Sequence, residues 1–148
     1  MPRINLHGTA LVVGRHGVLL TGPSGSGKTG LAIALIELCR AQTIFASLVS
    51  DDQVWLRAAH GRLIADVPEP IAGLVEIYGF GPTATDYMPK AVIDGVVALG
   101  DAGVPPRYRD EDIRDLAGIA VPQLHLSGED SSRAARAVLA WLKASGPD

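Results

Sequence analysis

Residues 22–29 read Gly22-Pro23-Ser24-Gly25-Ser26-Gly27-Lys28-Thr29, a full match to the pattern G-x-x-x-x-G-K-[ST]. Glycines at 22, 25 and 27 allow backbone dihedrals closed to other residues, so successive N–H groups can converge on phosphate oxygens. A helix opening directly after the loop adds its N-terminal N–H groups and its dipole to the same anion. Lys28 supplies a point charge for the outer phosphates, and the Thr29 hydroxyl is placed to ligate Mg²⁺. Val18-Leu19-Leu20 is a short β-prone run just before the loop, and Leu31, Ala34, Leu35 and Leu38 follow at helical spacing. Strand, glycine loop, helix is the order the motif requires. It implies a nucleoside triphosphate ligand.

Outward from the loop, the elements do not alternate as in a standard parallel α/β domain. Residues 9–13 and 18–20 flank Gly14-Arg15-His16-Gly17, so an antiparallel hairpin feeds the loop. A short strand at 47–50 ends at Asp51-Asp52, and runs at 54–58 and 62–65 pair across Ala59-His60-Gly61. Apolar runs follow at 74–77, 92–99 and 123–126. A second helix is predicted at 132–143, with Ala135, Val138, Leu139 and Leu142 on one face. The fold class is α/β: a single phosphate-loop domain over residues 1–148 with a mixed, largely antiparallel sheet.

With 148 residues, 47% of them hydrophobic and 20% charged, the chain has the composition of one ordinary α/β domain. The net charge of −3 and the lack of a basic stripe argue against nucleic acid. No apolar run reaches the roughly 20 residues of a membrane span, and the start lacks a signal-like stretch. Cys39 has no second cysteine to pair with and falls at the end of the first helix, where a packed thiol is expected. A cytoplasmic protein with no membrane partner is the reading.

A phosphate loop needs an acid near its metal and a group to activate the attacker. Asp51 and Asp52 end an apolar strand, where such carboxylates are delivered. Neighbouring side chains on a strand face opposite ways, so the two are expected to differ in role. Glu76 lies in Gly73-Leu74-Val75-Glu76-Ile77-Tyr78-Gly79-Phe80-Gly81; a buried charge there would need a partner or a metal. Trp55 and Trp141 are expected in the core or an interface. His7, in Leu6-His7-Gly8, is a further candidate, whereas His16, His60 and His125 have no such context.

Taken together, His7-Gly8, the hairpin, the 22–29 loop, Leu48-Val49-Ser50-Asp51-Asp52 and the Glu-x-x-Gly-x-Gly element ending at Gly81 resemble the C-terminal catalytic domain of HPr kinase/phosphorylase. That family phosphorylates a serine of the phosphocarrier protein HPr and shares its domain type with phosphoenolpyruvate carboxykinase. The resemblance implies ATP and Mg²⁺ as cofactors and an HPr-like carrier as partner. It makes Asp51 the proton acceptor, Thr29 and Glu76 the metal ligands, Lys28 the contact to the transferred phosphate, and His7 an active-site histidine. Gly118-Ile119-Ala120-Val121-Pro122 matches a segment that follows the family's catalytic arginine, which points to Arg107, with Arg109 as rival. A homo-oligomer, commonly a hexamer, is also implied.

Several features depart from the family pattern. Tyr78 stands where an arginine is usual, and Ser127-Gly128-Glu129-Asp130-Ser131 replaces a basic, glycine-containing loop linked to dephosphorylation. The additional N-terminal domain and the long C-terminal helical extension have no counterpart, as in a short form or a fragment. The reverse, phosphorylase reaction is therefore expected to be weak. Two alternatives share the scaffold: a small-molecule kinase or stand-alone NTPase, and an ATP-sensing regulator with little turnover.

Overall fold

The structure, a computed structural model, describes residues 2–100 and 109–144. Along the chain run β1 (Ile4–His7), β2 (Thr9–Val13), β3 (His16–Thr21), α1 (Lys28–Ala41), β4 (Ala46–Ser50), β5 (Gln53–Ala59) and β6 (Arg62–Asp66). After a 3₁₀ turn at Glu69–Ile71 come β7 (Leu74–Ile77), β8 (Gly81–Ala84), β9 (Lys90–Gly100), β10 (Glu111–Leu116), β11 (Ile119–Ser127) and α2 (Ser131–Ala144).

Nine strands form one sheet in the order β1-β5-β6-β9-β3-β2-β4, with β11 also paired to β9 and β10 to β11. β9 is its spine. One edge of β9 pairs first with β6, from Ile93 to Lys90, and then with β11, from Val96 to Gly100; β3 runs along the other edge. Among the described residues only β3–β9 and β9–β11 are parallel, so the sheet is mixed and largely antiparallel, as the sequence implies. The β2–β3 hairpin keeps Thr9 opposite Leu20 and Val13 opposite His16. β2 is buried along its whole length, which fits the apolar run at 10–13 that follows Thr9.

Alternation divides the apolar side chains between two cores. Leu11, Val18, Leu20 and Val97 face α1 and α2, where Leu31, Leu35, Val138 and Leu142 meet them. On the opposite face Ala10, Leu19 and Val96 pack with Val49 of β4 and with Val54 and Leu56 of β5. Strands far apart in the sheet order share that second cluster, so the sheet curls over itself. Cys39, near the end of α1, is fully buried, and burial pushes its thiol pKa up, consistent with a packing role. Trp141 lies in the helix-side core with its Nε1 donating to Glu111 at 2.8 Å. Trp55 is half-buried, with the Arg3 guanidinium 4.0 Å above its ring.

Three strands have no signature in the sequence. β1 is four residues long and mostly exposed, and it forms by pairing with β5 from Ile4 opposite Leu56 to His7 opposite Gln53. β8 reads Gly-Pro-Thr-Ala and exists through its pairing with β7. β10, Glu-Asp-Ile-Arg-Asp-Leu, looks like a solvated charged stretch; the β11 ladder makes it a strand.

Leu35 sits at the centre of the helix-side core with no exposed surface. Leu35→Ala is expected to cost about 2–5 kcal/mol, as for other buried leucines. Urea unfolding of the variant measures this; a change below about 1 kcal/mol would mean the site collapses around the smaller side chain.

Candidate active site

The phosphate-binding loop leaves β3 at Thr21 and enters α1 at Lys28. Its tight path needs glycine at two points. Gly22 sits at φ 147° with Leu99 O and Ser26 Oγ each 2.7 Å from where a Cβ would be, and Gly27 sits at φ 100° with Gly128 O at 2.7 Å. Gly27 takes the N-cap position without a side-chain cap, so the first N–H groups of α1 are left for an anion. Ser26 Oγ is buried with no partner among the described protein groups. These features fit a polyphosphate in the loop.

Lys28 is buried, and its Nζ donates to the carbonyls of Gly22 at 2.8 Å and Pro23 at 3.1 Å, folding back over the loop. Burial lowers its pKa below the ordinary lysine value, while the charge of Asp52, and then that of Asp51, acts in the opposite direction.

β4 brings the two aspartates beside this loop, in unlike surroundings. Asp51 is buried, and its Oδ1 accepts from Thr29 Oγ1 at 2.9 Å and from Thr9 Oγ1 at 3.0 Å. Its Oδ2 accepts from the Glu76 backbone N–H at 3.0 Å. Asp52 takes φ 73°, its side chain is 67% exposed, and its Oδ1 lies 2.7 Å from His7 Nε2. The β1–β5 pairing makes that contact: His7 opposes Gln53, and the Gly8 N–H donates to the Asp52 carbonyl at 3.0 Å.

The structure thus gathers Lys28, Thr29, Asp51, Asp52 and His7 at one end of the loop. Glu76 flanks Asp51 through its backbone, but its side chain is exposed. That corrects the expectation of a buried charge: β7 and β8 form a separate two-stranded sheet, so apolar neighbours in sequence do not enclose residue 76. Among the described residues no three His, Cys, Asp or Glu side chains cluster as a preformed metal cage. A cation here would be held by Thr29 and carboxylate oxygens together with the ligand's own phosphates, the usual arrangement for Mg²⁺.

Arg107 lies outside the described residues. Arg109 takes φ 44° and pairs with Glu111 at 3.2 Å. Sequence reasoning missed Arg114, whose Nη1 donates to Thr21 Oγ1 at 3.2 Å, immediately before the loop. The turn at 127–131, which the sequence marks for its altered charge, also closes on the loop. A Cβ on Gly128 would stand 1.9 Å from the Ser26 carbonyl oxygen, so the two backbones touch.

A glycine loop between a buried strand and a helix, flanked by carboxylates that follow β4 two strands away, has the arrangement of a P-loop domain on a mixed sheet. The chain belongs to the HPr Serine kinase C-terminal domain family, which it matches over residues 1–85. It is 36% identical over 80 residues to an HPr kinase/phosphorylase of Clostridium botulinum, and 40% identical over 81 residues to one of Caldicellulosiruptor bescii. Each match covers 54% of this chain and 24% of the relative, so the shared region spans about a quarter of the length of these relatives. The solved Hpr(Ser) kinase/phosphatase of Coxiella burnetii has the same fold, with a TM-score of 0.78 at 23% identity over 92% of this chain and 93% of that one.

Thr9 is fully buried, donates to Asp51 and accepts from the Asp52 N–H at 3.4 Å. Thr9→Val keeps the shape and removes that hydroxyl, and a loss of about 1–3 kcal/mol in unfolding free energy is expected. A variant as stable as the parent would show that Asp51 does not depend on Thr9.

Proposed function

We propose that this chain is a Mg-ATP-dependent protein serine kinase whose acceptor is an HPr-like phosphocarrier. The observation that carries this reading is the Thr29–Asp51 hydrogen bond at 2.9 Å beside the exposed His7–Asp52 pair. Bound Mg-ATP would supply the activated phosphoryl group. Lys28 would leave the loop carbonyls for phosphate oxygens, and Thr29 and Glu76 would hold the metal. The tip of the β7–β8 hairpin favours a protein acceptor over a metabolite: Tyr78 is 96% exposed and Phe80 80%, an apolar surface next to the acids. A cytoplasmic setting belongs to the same reading; no described helix is long and apolar enough to cross a membrane.

The roles of the two aspartates follow their surroundings and depart from what the family resemblance implies. Asp51 already accepts three hydrogen bonds and is shielded, so it sets the position of Thr29. Asp52 is open to an incoming serine hydroxyl, is oriented by His7, and is assigned the proton. Asp52→Asn is expected to keep Mg-ATP binding and to lower transfer about 10²–10⁴-fold, the usual worth of general-base help. Asp51→Asn is expected to weaken binding of Mg-ATP itself. Titration of nucleotide and transfer of label to the carrier, measured on both variants, decide between them. Intact binding with collapsed transfer in Asp51→Asn would return the base to Asp51. No transfer by the parent chain to any HPr-like carrier, despite nucleotide binding, would favour the sensor alternative.

Phosphorolysis brings inorganic phosphate up to a phosphoserine, and two anions approach only where cations surround them. The 127–131 turn offers Glu129 and Asp130 instead. Pyrophosphate release from phosphorylated carrier, at millimolar phosphate and without ATP, is expected to run far below the forward rate. Release matching the forward rate would show that another cation, Arg114 first, replaces the basic loop.

A further inference from the structure

Three parallel strands end on one edge of the sheet: β3 at Thr21, β9 at Gly100 and β11 at Ser127. The residues around those ends line a cleft formed by 23–26 of the phosphate loop, Gly100, Gly128 and Glu129. Ligands of α/β sheets bind at such carboxyl edges. The loop strand β3 stands between two flanks. On the β2–β4 side lie Thr29, Asp51 and Asp52; on the β9–β11 side lies this cleft. A nucleotide whose reacting phosphate faces the acids extends its other end toward the cleft.

The chemistry of the lining selects what can sit there. Among the described residues its one charged side chain is the Glu129 carboxylate, which repels a further phosphate and suits a neutral group rich in hydrogen-bond donors. Of the two acids in the turn, Asp130 is committed to α2: its carboxylate accepts from the Arg133 N–H at 3.1 Å, and its carbonyl from the Ala134 N–H at 2.9 Å. Glu129 is the one that lines the cleft. Its place relative to the loop is fixed by the residue before it, because Gly128 rests directly on Ser26 and Gly27. Farther along, Ser131 lies against Gly30, so the turn follows the loop into the first turn of α1.

We propose that this cleft seats the ribose of the bound nucleotide and that the Glu129 carboxylate accepts hydrogen bonds from its hydroxyls, giving a preference for ribonucleotides over deoxyribonucleotides. The proposal rests on the nucleotide-binding part of the function proposed above. Affinities of ATP, 2′-deoxy-ATP, 3′-deoxy-ATP and inorganic tripolyphosphate are measured by calorimetry for the parent chain and for Glu129→Ala. The parent is expected to bind ATP about tenfold or more tightly than at least one deoxy analogue, the scale of a hydrogen bond to a charged group. Glu129→Ala should bind all three nucleotides alike and tripolyphosphate no worse than the parent does. Equal binding of ATP and both deoxy analogues by the parent overturns the proposal, as does discrimination that survives in Glu129→Ala. In both of those outcomes nucleotide binding itself stands. A parent chain that binds neither ATP nor tripolyphosphate overturns this proposal and the kinase reading together.

Discussion

The Asp51 carboxylate, buried at the end of β4, ties together the elements from which the site is built. Taking such a charge out of water costs several kcal/mol. Three donors offset that cost, from Thr9 on β2, Thr29 on α1 and Glu76 on β7, each charge-assisted bond being worth about 1.5–3 kcal/mol. One oxygen shared by two hydroxyls fixes how far the start of α1 stands from the sheet. The other draws in the small β7–β8 sheet, which the nine-stranded sheet does not include. The same acid therefore positions the loop's hydroxyl and holds the hairpin that carries Tyr78 and Phe80 at the rim of the site.

What was legible in the sequence was local. The eight-residue loop, the hairpin before it and the two helices are each written in consecutive residues, by motif, turn and 3.6-residue period. Asp51 and Asp52 were legible as a pair with divided roles, but the reason offered, alternation along a strand, is not the operative one. Both lie just past β4, and the positive φ of Asp52 turns its side chain out to His7. The partner that sequesters Asp51, Thr9, is 42 positions away and looks like any strand threonine. Glu76 misled because apolar neighbours predict burial only where a second layer covers them. Arg114 reaches Thr21 across 93 positions, a contact produced by the curl of the sheet and by a strand that sequence pattern does not announce.

The two parallel pairings matter more than their number suggests. In an antiparallel sheet neighbouring strands end on opposite edges, whereas β3, β9 and β11 deliver their ends to the same one. The loop therefore meets the β11–α2 turn there, while β4, antiparallel to β2 as β3 is, brings its acids to the loop's other flank. Charge follows this geometry. Among the described residues, Lys28, the Thr29 hydroxyl and two carboxylates gather on one flank, and the other offers a single carboxylate among backbone and small side chains.

The contact between loop and turn is made almost entirely by backbone, and its consequences follow from that. A Cβ on Gly128 meets the Ser26 carbonyl, and one on Gly27 meets the Gly128 carbonyl. Neither clash could be relieved by rotating a side chain, so a larger residue at either position would push the two segments apart. The turn is in turn held by α2, through the Asp130 cap, and α2 by its packing on α1 through Val138 and Leu142. A closed circuit results, from the loop into α1, across the helix-side core to α2, and back through the turn to the loop. The packing of α2 on α1 therefore supports the turn that rests on the glycines of the loop.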